Sequence, residues 1–312
     1  MMKDNSNPGA KLGENEEDWP EIAIVILNWN NYEDTADCLN SIKGSSYPKV
    51  RTIVVDNGST DKSPDKLQDN FEGCDFILNE ENLGFAAGCN VGIQKAKEVN
   101  SEYILLLNND IIIEQNALRR LVSTAESRRR VAAVSGLIYN SEDSICFAGG
   151  KLQPSLSSHK IYKRAILEDT YSTEFITGAL MLLNADFLDQ YGGLDESYFF
   201  GREDAQLSYD ATQMGWNLYI NPDVTAIHDA GSSAGSQTPF RWYHTTRNRI
   251  IFVRQLSLAK SIIFYAFFIL SRIVRFGQWT VSRDFQKIRA VMLGIMDEFL
   301  EKEFKKPEYF DS

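Results

Sequence analysis

Short apolar runs of the buried-strand type alternate with amphipathic segments over the first 110 residues, and this alternation constrains the fold most strongly. The runs are residues 22–27 (IAIVIL), 51–55 (RTIVV), 75–78 (DFIL) and 103–107 (YILLL). Between the first two runs, Cys38, Leu39 and Ile42 recur at helical spacing. Strands that alternate with helices predict an α/β layer with a largely parallel sheet.

The rest of the chain divides into an irregular middle and a helical end. Further strands are indicated at residues 132–137, 175–183 and 218–220, a helix at 184–191, and a mostly helical pattern from Phe240 to Phe304. Residues 1–20 are polar and lack the apolar core of a secretory signal. We therefore predict a disordered leader at 1–20, a core domain at 21–240 and a C-terminal helical region at 241–312.

Charge is distributed unevenly along this acidic chain, whose net charge is −11. Residues 241–290 carry ten basic side chains and one acidic side chain. The acidic total predicts that nucleic acid is not a partner, whereas the basic stretch suits phosphates or an anionic membrane surface. The four cysteines have no CxxC spacing, so we expect reduced thiols in a cytoplasmic protein.

One apolar run, residues 261–270 (SIIFYAFFIL), has more than one interpretation. Ten helical residues span about 15 Å, which is too short to cross a bilayer core of about 30 Å. A helix on the inner face of the cell membrane, a buried helix and a contact between subunits of a homo-oligomer all stay open.

Polar clusters follow successive strands, where open α/β sheets bind ligands. Asp56 begins the turn-rich segment DNGSTD, and its carboxylate can accept a hydrogen bond from a nucleobase imide or simply close a turn. Asp110 follows the fourth strand, where a single carboxylate can hold a divalent cation that bridges two phosphates. An exposed turn acid is the simpler interpretation of Asp110.

Two further clusters occur later in the chain. Glu203 and Asp204 follow the aromatic residues 198–200, and they suit either the N-terminus of a helix or a general base in a partly dry cleft. His228 lies after a strand-like run, as a structural histidine or a ligand of a divalent metal. Four arginines at the start of the basic stretch suit a solvated helix face or contact with an anion: Arg241, Arg247, Arg249 and Arg254.

Eight of these segments, in this order, resemble the family 2 inverting glycosyltransferases of the GT-A fold. They are IAIVILNWN (22–30), DNGSTD (56–61), NLGFAAGCN (82–90), LLNND (106–110), TGALML (177–182), GREDAQL (201–207), His228 and RNR (247–249). The branch that contains rhamnosyltransferases and galactofuranosyltransferases is the most similar. The resemblance implies a Rossmann-like mixed sheet, largely parallel and flanked by helices, with a C-terminal helical appendage.

The resemblance also implies a role for each matching residue. A nucleotide-sugar donor would be bound by Leu27, Asn28, Asn30, Asp56, Asn82, Gly84, Phe85, Asn90, Asn109, Arg247 and Arg249. Within that set, Asp56 would read the base and the two arginines would contact the diphosphate.

On the acceptor side, the resemblance makes Asp204 the catalytic base and Glu203 the residue that orients the acceptor, with Thr177 and Gly178 near the acceptor hydroxyl. Asp110 would be the retained acid of a DxD motif that binds Mg²⁺ or Mn²⁺, helped by His228. The chain departs from this motif because Asn108 replaces the first acid, which puts the strength of metal binding in question.

The implied activity is inverting transfer of a sugar from a UDP- or dTDP-sugar to a hydroxyl of a glycan or lipid-linked saccharide, in cell-surface polysaccharide assembly. A nucleotidyltransferase would need more acids than Asp110 supplies. A dinucleotide-dependent oxidoreductase would need GxGxxG where this chain has residues 28–31 (NWNN). A sugar-nucleotide-binding or scaffold protein with weak or lost catalysis stays open because of Asn108.

Overall fold

The computed structural model describes residues 18–141, 143–166, 168–228 and 238–300. Its first half follows the predicted alternation: β1 (Ile22–Asn28), α1 (Tyr32–Lys43), β2 (Val50–Asp56), α2 (Ser63–Asn70), β3 (Asp75–Leu78), α3 (Phe85–Glu98) and β4 (Tyr103–Asn108). The middle contains β5 (Ile111–Ile113), α4 (Ala117–Glu126), β6 (Val131–Asn140), β7 (Ile145–Phe147), β8 (Gly150–Gln153), β9 (Ser158–Ile161), β10 (Tyr171–Thr173), β11 (Leu180–Asn184), α5 (Ala185–Tyr191), α6 (Glu203–Gln213) and β12 (Asn217–His228). The C-terminal region contains α7 (Pro239–Arg254), α8 (Leu258–Val281) and α9 (Phe285–Phe299).

A single mixed sheet organises the core, in the order β10-β12-β6-β11-β4-β1-β2-β3, with β5 and β7 attached to β12 and β6. The strands from β3 to β4 are mutually parallel. β11 is antiparallel to both β4 and β6, and β12 returns parallel to β6. The predicted α/β class is therefore confirmed, and the carboxyl ends of β1, β2 and β4 meet at one edge of the sheet.

Close contact between α3 and β1 depends on two glycines one helical turn apart. A Cβ at Gly88 would lie 2.6 Å from Leu27, and a Cβ at Gly92 would lie 2.3 Å from Val25. The alternate residues of β1, including Ile24 and Ile26, are fully buried as well. Because successive strand residues point to opposite faces, both faces of β1 are covered.

The structure corrects the predicted strand at residues 175–183. Only residues from Leu180 onward form β11, and residues 178 and 179 form a turn. The backbone N–H of Gly178 donates to the Asp204 carboxylate instead of pairing with a strand. An apolar sequence alone could not reveal this side-chain acceptor, which lies 26 residues away.

The predicted leader, residues 1–20, overlaps the described residues at positions 18–20. Residues 1–17 lie outside the described residues. Trp19 is buried, and its ring centroid lies 5.1 Å from that of Tyr47. Burial of a large aromatic side chain against the core fixes this end of the domain.

The C-terminal region is helical, as the sequence predicts, and it has a small core of its own. Ile250, Phe252, Phe264 and Phe268 are among its buried residues, and Tyr209 of α6 packs against them. Across the described residues, none of the helices combines the length and the apolarity that a membrane crossing requires.

Replacing Gly92 by alanine should destabilise the protein. Alanine favours the helix by about 1 kcal/mol over glycine, but its methyl group would overlap Val25 in a packed layer. Overpacking of this kind costs about 1–3 kcal/mol, so we expect a net decrease in the free energy of unfolding, measured by urea denaturation.

Gly277→Ala is the matched control, because Gly277 also lies inside a helix and a Cβ there would meet no atom within 4 Å. It should raise the free energy of unfolding by about 0.5–1 kcal/mol. Equal stabilisation by both substitutions would contradict the close packing of α3 on β1.

Candidate active site

A buried amide at the end of β1 ties several elements together. Asn28 is fully buried, and its Nδ2 donates to Asp56 Oδ1 at 2.7 Å and to Ser63 Oγ at 3.0 Å. Its Oδ1 accepts from Thr35 Oγ1 at 2.9 Å. Asn28 therefore joins these elements at the edge of the sheet and fixes the position of the Asp56 carboxylate.

The side chains of Asp56 and Asn30 fix the loop after β2 by hydrogen bonds. Asp56 accepts from Ser59 N at 2.9 Å and from Ser59 Oγ at 2.6 Å. Asn30 has a left-handed backbone (φ 50°), and its Oδ1 accepts from Thr60 N at 2.7 Å. Between the two asparagines, Trp29 is 50% exposed. The sequence motifs predict no role for Trp29, although a nucleobase can stack on an exposed aromatic ring at this edge.

A second amide network joins the loops that follow β2 and β3. Asn57 is buried, and its Nδ2 donates to Asn82 Oδ1 at 3.0 Å and to Gly84 O at 3.1 Å. Gly84 has φ +86°, and a Cβ there would lie 2.5 Å from Phe199 O. Phe85 N donates to that same carbonyl at 2.8 Å. The loop before α3 is thus pressed against the loop before α6.

Asp110 has one oxygen that is paired and one that is not. Oδ2 lies 2.9 Å from His228 Nε2, whereas Oδ1 is buried with no hydrogen-bond partner. The pKa of His228 is raised to about 9. The largest cause is its hydrogen bond to the Asp110 carboxylate, and the second is a hydrogen bond with Cys146. Asn108 Oδ1 is likewise buried and unpartnered, and Asn109 Nδ2 donates to Thr35 Oγ1 at 2.9 Å.

These groups fit a hard divalent cation. An unpartnered buried carboxylate oxygen beside an imidazole nitrogen provides two of the ligand types that Mg²⁺ or Mn²⁺ accepts. Within the described residues, His, Cys, Asp and Glu side chains form no group of three or more that could hold a metal ion. The remaining ligands would have to come from phosphate oxygens and water, as is usual for Mg²⁺.

Glu203 and Asp204 begin α6 after two residues in the left-handed region, Gly201 (φ 77°) and Arg202 (φ 83°). A non-glycine residue with this backbone is uncommon and concentrates at functional sites. Glu203 is buried and its Oε2 has no partner. Asp204 is partly exposed; its Oδ1 accepts from Ala205 N at 2.7 Å and its Oδ2 from Gly178 N at 3.3 Å.

Burial controls the protonation of both acids. It raises the pKa of Glu203 to about 8, with the neighbouring Asp204 charge as the second cause. It also raises the pKa of Asp204, against the opposing effect of His159. His159 stacks on Phe175 with ring centroids 4.2 Å apart. No local signal could have revealed it, because a hairpin 45 residues away in sequence brings it to the acid.

The turn at residues 177–179 connects the two acidic centres. Gly178 N binds Asp204, and Ala179 O accepts from Asn108 N at 3.0 Å. Asn108 is two residues before Asp110. A Cβ at Gly178 would lie 3.4 Å from Phe85 and 3.7 Å from Glu203 Oε1. The predicted acceptor residue Gly178, both predicted catalytic acids and the donor-side Phe85 are therefore brought together.

Helix α7 supports the loop that carries the acids. Asn248 Nδ2 donates to Phe200 O at 3.0 Å and to Gly201 O at 2.7 Å. Arg247, only 8% exposed, donates to Ser197 O at 2.8 Å, and its Nε lies 3.4 Å from Glu298 Oε2. The guanidinium group of Arg247 is thus used in packing the helix, and its predicted contact with a diphosphate stays a prediction.

Arg249 also makes packing contacts, and its predicted contact with a diphosphate likewise stays a prediction. Its Nη2 donates to Leu156 O at 2.7 Å, and its guanidinium carbon lies 5.4 Å from the ring centroid of Phe264 and 5.6 Å from that of Phe268. Burial lowers the pKa of Arg249 to about 10. A cation held against two rings and a carbonyl contributes to the packing of α8 on the rest of the protein.

Three other predicted residues have structural roles. Asn90 donates to Leu194 O at 2.8 Å and accepts from Leu194 N at 2.8 Å, so its amide holds the loop that contains Leu194, and its predicted contact with the donor stays a prediction. Leu27 packs against Gly88. Thr177 Oγ1 accepts from Ala179 N at 3.4 Å within the connecting turn.

The burial of Glu203 should make stability depend on pH. Its folded-state pKa of about 8 exceeds its ordinary value of 4.5, so the folded state binds more protons between about pH 4.5 and pH 8. Wild-type stability should fall as the pH rises through this window, and Glu203→Gln should remove that slope. Each unit of pKa shift is worth about 1.4 kcal/mol. We therefore expect the difference in free energy of unfolding, variant minus wild type, to grow by at least about that amount from pH 5 to pH 8.

Glu98→Gln, an exposed substitution on α3, is the surface control for the loss of one carboxylate. Urea denaturation at several pH values measures both variants. A difference between Glu203→Gln and wild type that is constant from pH 5 to pH 8 would contradict the perturbed titration of Glu203.

Comparison with known proteins gives an independent view of the chain. Residues 23–192 match the family model described as Glycosyl transferase family 2. The rhamnosyltransferase WbbL of Escherichia coli is 25% identical over 264 residues, covering 77% of this chain and 99% of that protein. The N-acetylglucosaminyl-diphospho-decaprenol L-rhamnosyltransferase of Mycobacterium tuberculosis is 22% identical over 239 residues, covering 69% of this chain and 78% of that protein.

A solved structure supports the fold. The crystal structure of GalNAc-T7 with UDP, GalNAc and Mn²⁺ matches with a TM-score of 0.63 and 18% sequence identity. The match covers 79% of this chain, and this chain spans only half (50%) of that one. At this identity the likeness concerns the fold alone, which is the predicted GT-A arrangement with its C-terminal helices outside the sheet.

Proposed function

Because the chain belongs to glycosyl transferase family 2, we propose that it is an inverting transferase that uses a nucleoside diphosphate sugar. The donor is a UDP- or dTDP-sugar, and the acceptor is a hydroxyl of a glycan or lipid-linked saccharide in cell-surface polysaccharide assembly. One observation carries the proposal: a single turn, residues 177–179, bonds both Asp204 and the backbone of Asn108, two residues before Asp110, while Asn28 connects the same sheet edge to Asp56. The proposed general base Asp204, the proposed metal ligand Asp110 and the carboxylate of Asp56, which would recognise the nucleobase, therefore lie in one connected region.

Relatives support the acceptor class. The mycobacterial relative is named for a decaprenyl-diphosphate-linked N-acetylglucosamine, and WbbL is named as a rhamnosyltransferase. Both align with more than two thirds of this chain. By analogy, a saccharide on a lipid diphosphate is the acceptor that we propose here, with a deoxyhexosyl or hexosyl group as the sugar transferred.

The donor half of the site suits a nucleotide. Asp56 retains a free lone-pair direction for the imide N–H of uracil or thymine, since its two oxygens receive three hydrogen bonds out of about four that a carboxylate can accept. Trp29 offers a stacking surface at the same edge. Asn57 and Asn82 hold the intervening loops rigid, so the pocket requires little reorganisation when the donor binds.

Asp110 and His228 would hold Mg²⁺ or Mn²⁺, as the unpartnered Asp110 oxygen suggests. When bound, such a cation offsets the negative charge that develops on the departing diphosphate. Asn108 can contribute its carbonyl oxygen, which is a neutral ligand, in place of the acid found in a DxD motif. Neutral ligation predicts weaker metal binding than two carboxylates would give.

Asp204 acts as the base in this proposal. An acceptor hydroxyl attacks efficiently only as its proton leaves, and Asp204 is the partly exposed member of the acidic pair. Two backbone donors fix its orientation. Its raised pKa brings the carboxylate closer to the operating pH and makes it a stronger base. Attack from the side opposite the diphosphate inverts the anomeric carbon in one displacement, with Glu203 orienting the acceptor.

The second candidate function is a sugar-nucleotide-binding or scaffold protein with weak catalysis. Asn108 favours it, because the first acid of the metal motif is absent. The two candidates differ in one measurement: both bind the donor, but only the transferase forms a glycosylated acceptor. A screen of nucleotide sugars by thermal shift, with and without Mn²⁺, identifies the donor, and mass spectrometry of a lipid-diphosphate saccharide incubated with that donor detects the product.

Asp204→Asn should lower kcat by about 10²–10⁴-fold, the usual contribution of general-base catalysis. Donor binding should change little, because Asp204 lies on the acceptor side of the connecting turn. The measurement is product formation at saturating substrate, together with the thermal shift that the donor produces. Asp69→Asn, an exposed change on α2, is the control. Wild-type turnover in Asp204→Asn would exclude this base.

Asp110→Asn should abolish the Mn²⁺-dependent part of donor binding. At about 100 times its Kd, a donor stabilises the protein by ~2.7 kcal/mol, and the variant should lose most of the increment that Mn²⁺ adds. The measurement is a thermal shift titrated with donor, with Mn²⁺ or EDTA present. An unchanged Mn²⁺ effect in this variant would remove Asp110 from the metal site.

Asn108→Asp is the complementary variant. It restores the two-acid motif, so Mn²⁺ should bind more tightly and the Mn²⁺ concentration for half-maximal activity should fall. Without metal the variant should be less stable than wild type, because a second buried carboxylate would lack a partner. Weaker metal dependence in Asn108→Asp would indicate that residue 108 does not face the cation.

A further inference from the structure

Helix α8 has an unusual surface. Phe264, Phe268, Arg272 and Trp279 are its buried residues. The side chains exposed on the other side are apolar and large: Ile262, Ile263, Phe267, Leu270, Ile273 and Val274, which together we name the α8 face. At about 100° per residue, the α8 face is centred opposite the buried stripe. A helix of a soluble domain normally turns polar residues to that side.

The α8 face is large and continuous for a single helix. Its members are between 45% and 63% exposed, and they extend over three turns. Helix α9 has exposed apolar residues of its own, with Phe285, Met292, Met296 and Phe299 at helical spacing. Contiguous apolar patches of this kind on a monomer mark a surface that another phase or molecule covers.

The charge of the segment around α8 indicates what covers the α8 face. From residue 255 to residue 283 the chain has no acidic side chain, and its charged residues are Lys260, Arg272, Arg275 and Arg283. Lys260 is exposed, whereas the guanidinium carbon of Arg275 lies 4.8 Å from the ring centroid of Trp242 in α7. A second copy of the chain would bring the same positive charges to a helix without acids to pair them. An anionic lipid leaflet supplies both an apolar phase and negative charge.

The position of α8 relative to the site agrees with this occupant. Arg249 stacks on Phe264 and Phe268 of α8 and donates to Leu156 at the tip of the β8–β9 hairpin. The same hairpin carries His159, whose charge acts on Asp204. The acceptor side of the site and α8 are therefore joined through one hairpin.

We infer that the α8 face binds the surface of a bilayer that contains anionic phospholipids, with the helix lying in the plane of the interface. This inference deepens the proposed function, since a lipid-linked acceptor would be presented on that surface. It concerns contact with the leaflet and does not need a membrane-spanning helix. Apolar side chains enter the acyl boundary, while Lys260 remains at the level of the headgroups.

The test is flotation of the full chain with vesicles of phosphatidylcholine alone or mixed with phosphatidylglycerol, without donor or acceptor, so that its result is independent of catalysis. Wild type should float with the anionic vesicles, and less with neutral vesicles or at high salt. The paired change Phe267→Ser with Ile273→Ser should lower the partition coefficient at least about tenfold. Lys260→Glu should lower binding to anionic vesicles and weaken its salt dependence.

Leu78→Ser is the matched control, because Leu78 is 56% exposed on β3, outside the C-terminal helices. It should float like wild type. Thermal melting of each variant establishes that it is folded. Absence of flotation by wild type, or equal flotation of all variants, would overturn the inference. So would a dimer in light scattering that Phe267→Ser with Ile273→Ser dissociates, since a second copy would then occupy the face.

Discussion

The buried side chain of Asn28 is the interaction on which the donor half of the site depends. A fully buried amide is stable only when its donors and acceptors are satisfied. Here they are satisfied by Asp56, Ser63 and Thr35, which come from β2, α2 and α1. Thr35 Oγ1 in turn accepts a hydrogen bond from Asn109 Nδ2, just after the end of β4. Asn28 thus fixes β2, α2 and α1 directly and the end of β4 through Thr35. A side chain of similar size without an amide could not make these bonds.

The acceptor half is fixed in a different way, from outside the sheet. Two consecutive left-handed residues, Gly201 and Arg202, aim the start of α6 at the connecting turn. Such a backbone persists only where surrounding contacts require it. Asn248 provides those contacts by holding the carbonyls of Phe200 and Gly201. Within the segment RNR, Arg247 and Asn248 bind the loop that carries the two acids, whereas Arg249 binds Leu156 of the β8–β9 hairpin.

How much the sequence could predict follows from the range of each interaction. Strand and helix positions in the first half depend on local apolar spacing, and β3 was predicted at its observed limits. Asp204 and Gly178 could be selected by motif, and the structure brings them into contact. The roles of Arg247 and Arg249 could not be predicted, because their partners Glu298 and Leu156 lie 51 and 93 residues away in sequence. A charged side chain on a helix gives no local sign of whether it meets a substrate or another helix.

The division between the two halves also explains why the C-terminal helices matter to a site that they do not line. The matched family region ends at residue 192, before either acid of the pair. Beyond it, Arg247 contacts both Ser197 O in the acid-bearing loop and Glu298 of α9, and Arg254 pairs with the same glutamate at 2.8 Å. Glu298 is buried, so separating it from these cations would leave an uncompensated charge, which costs several kcal/mol. These ion pairs therefore couple the position of α9 to that of the loop that carries Glu203 and Asp204.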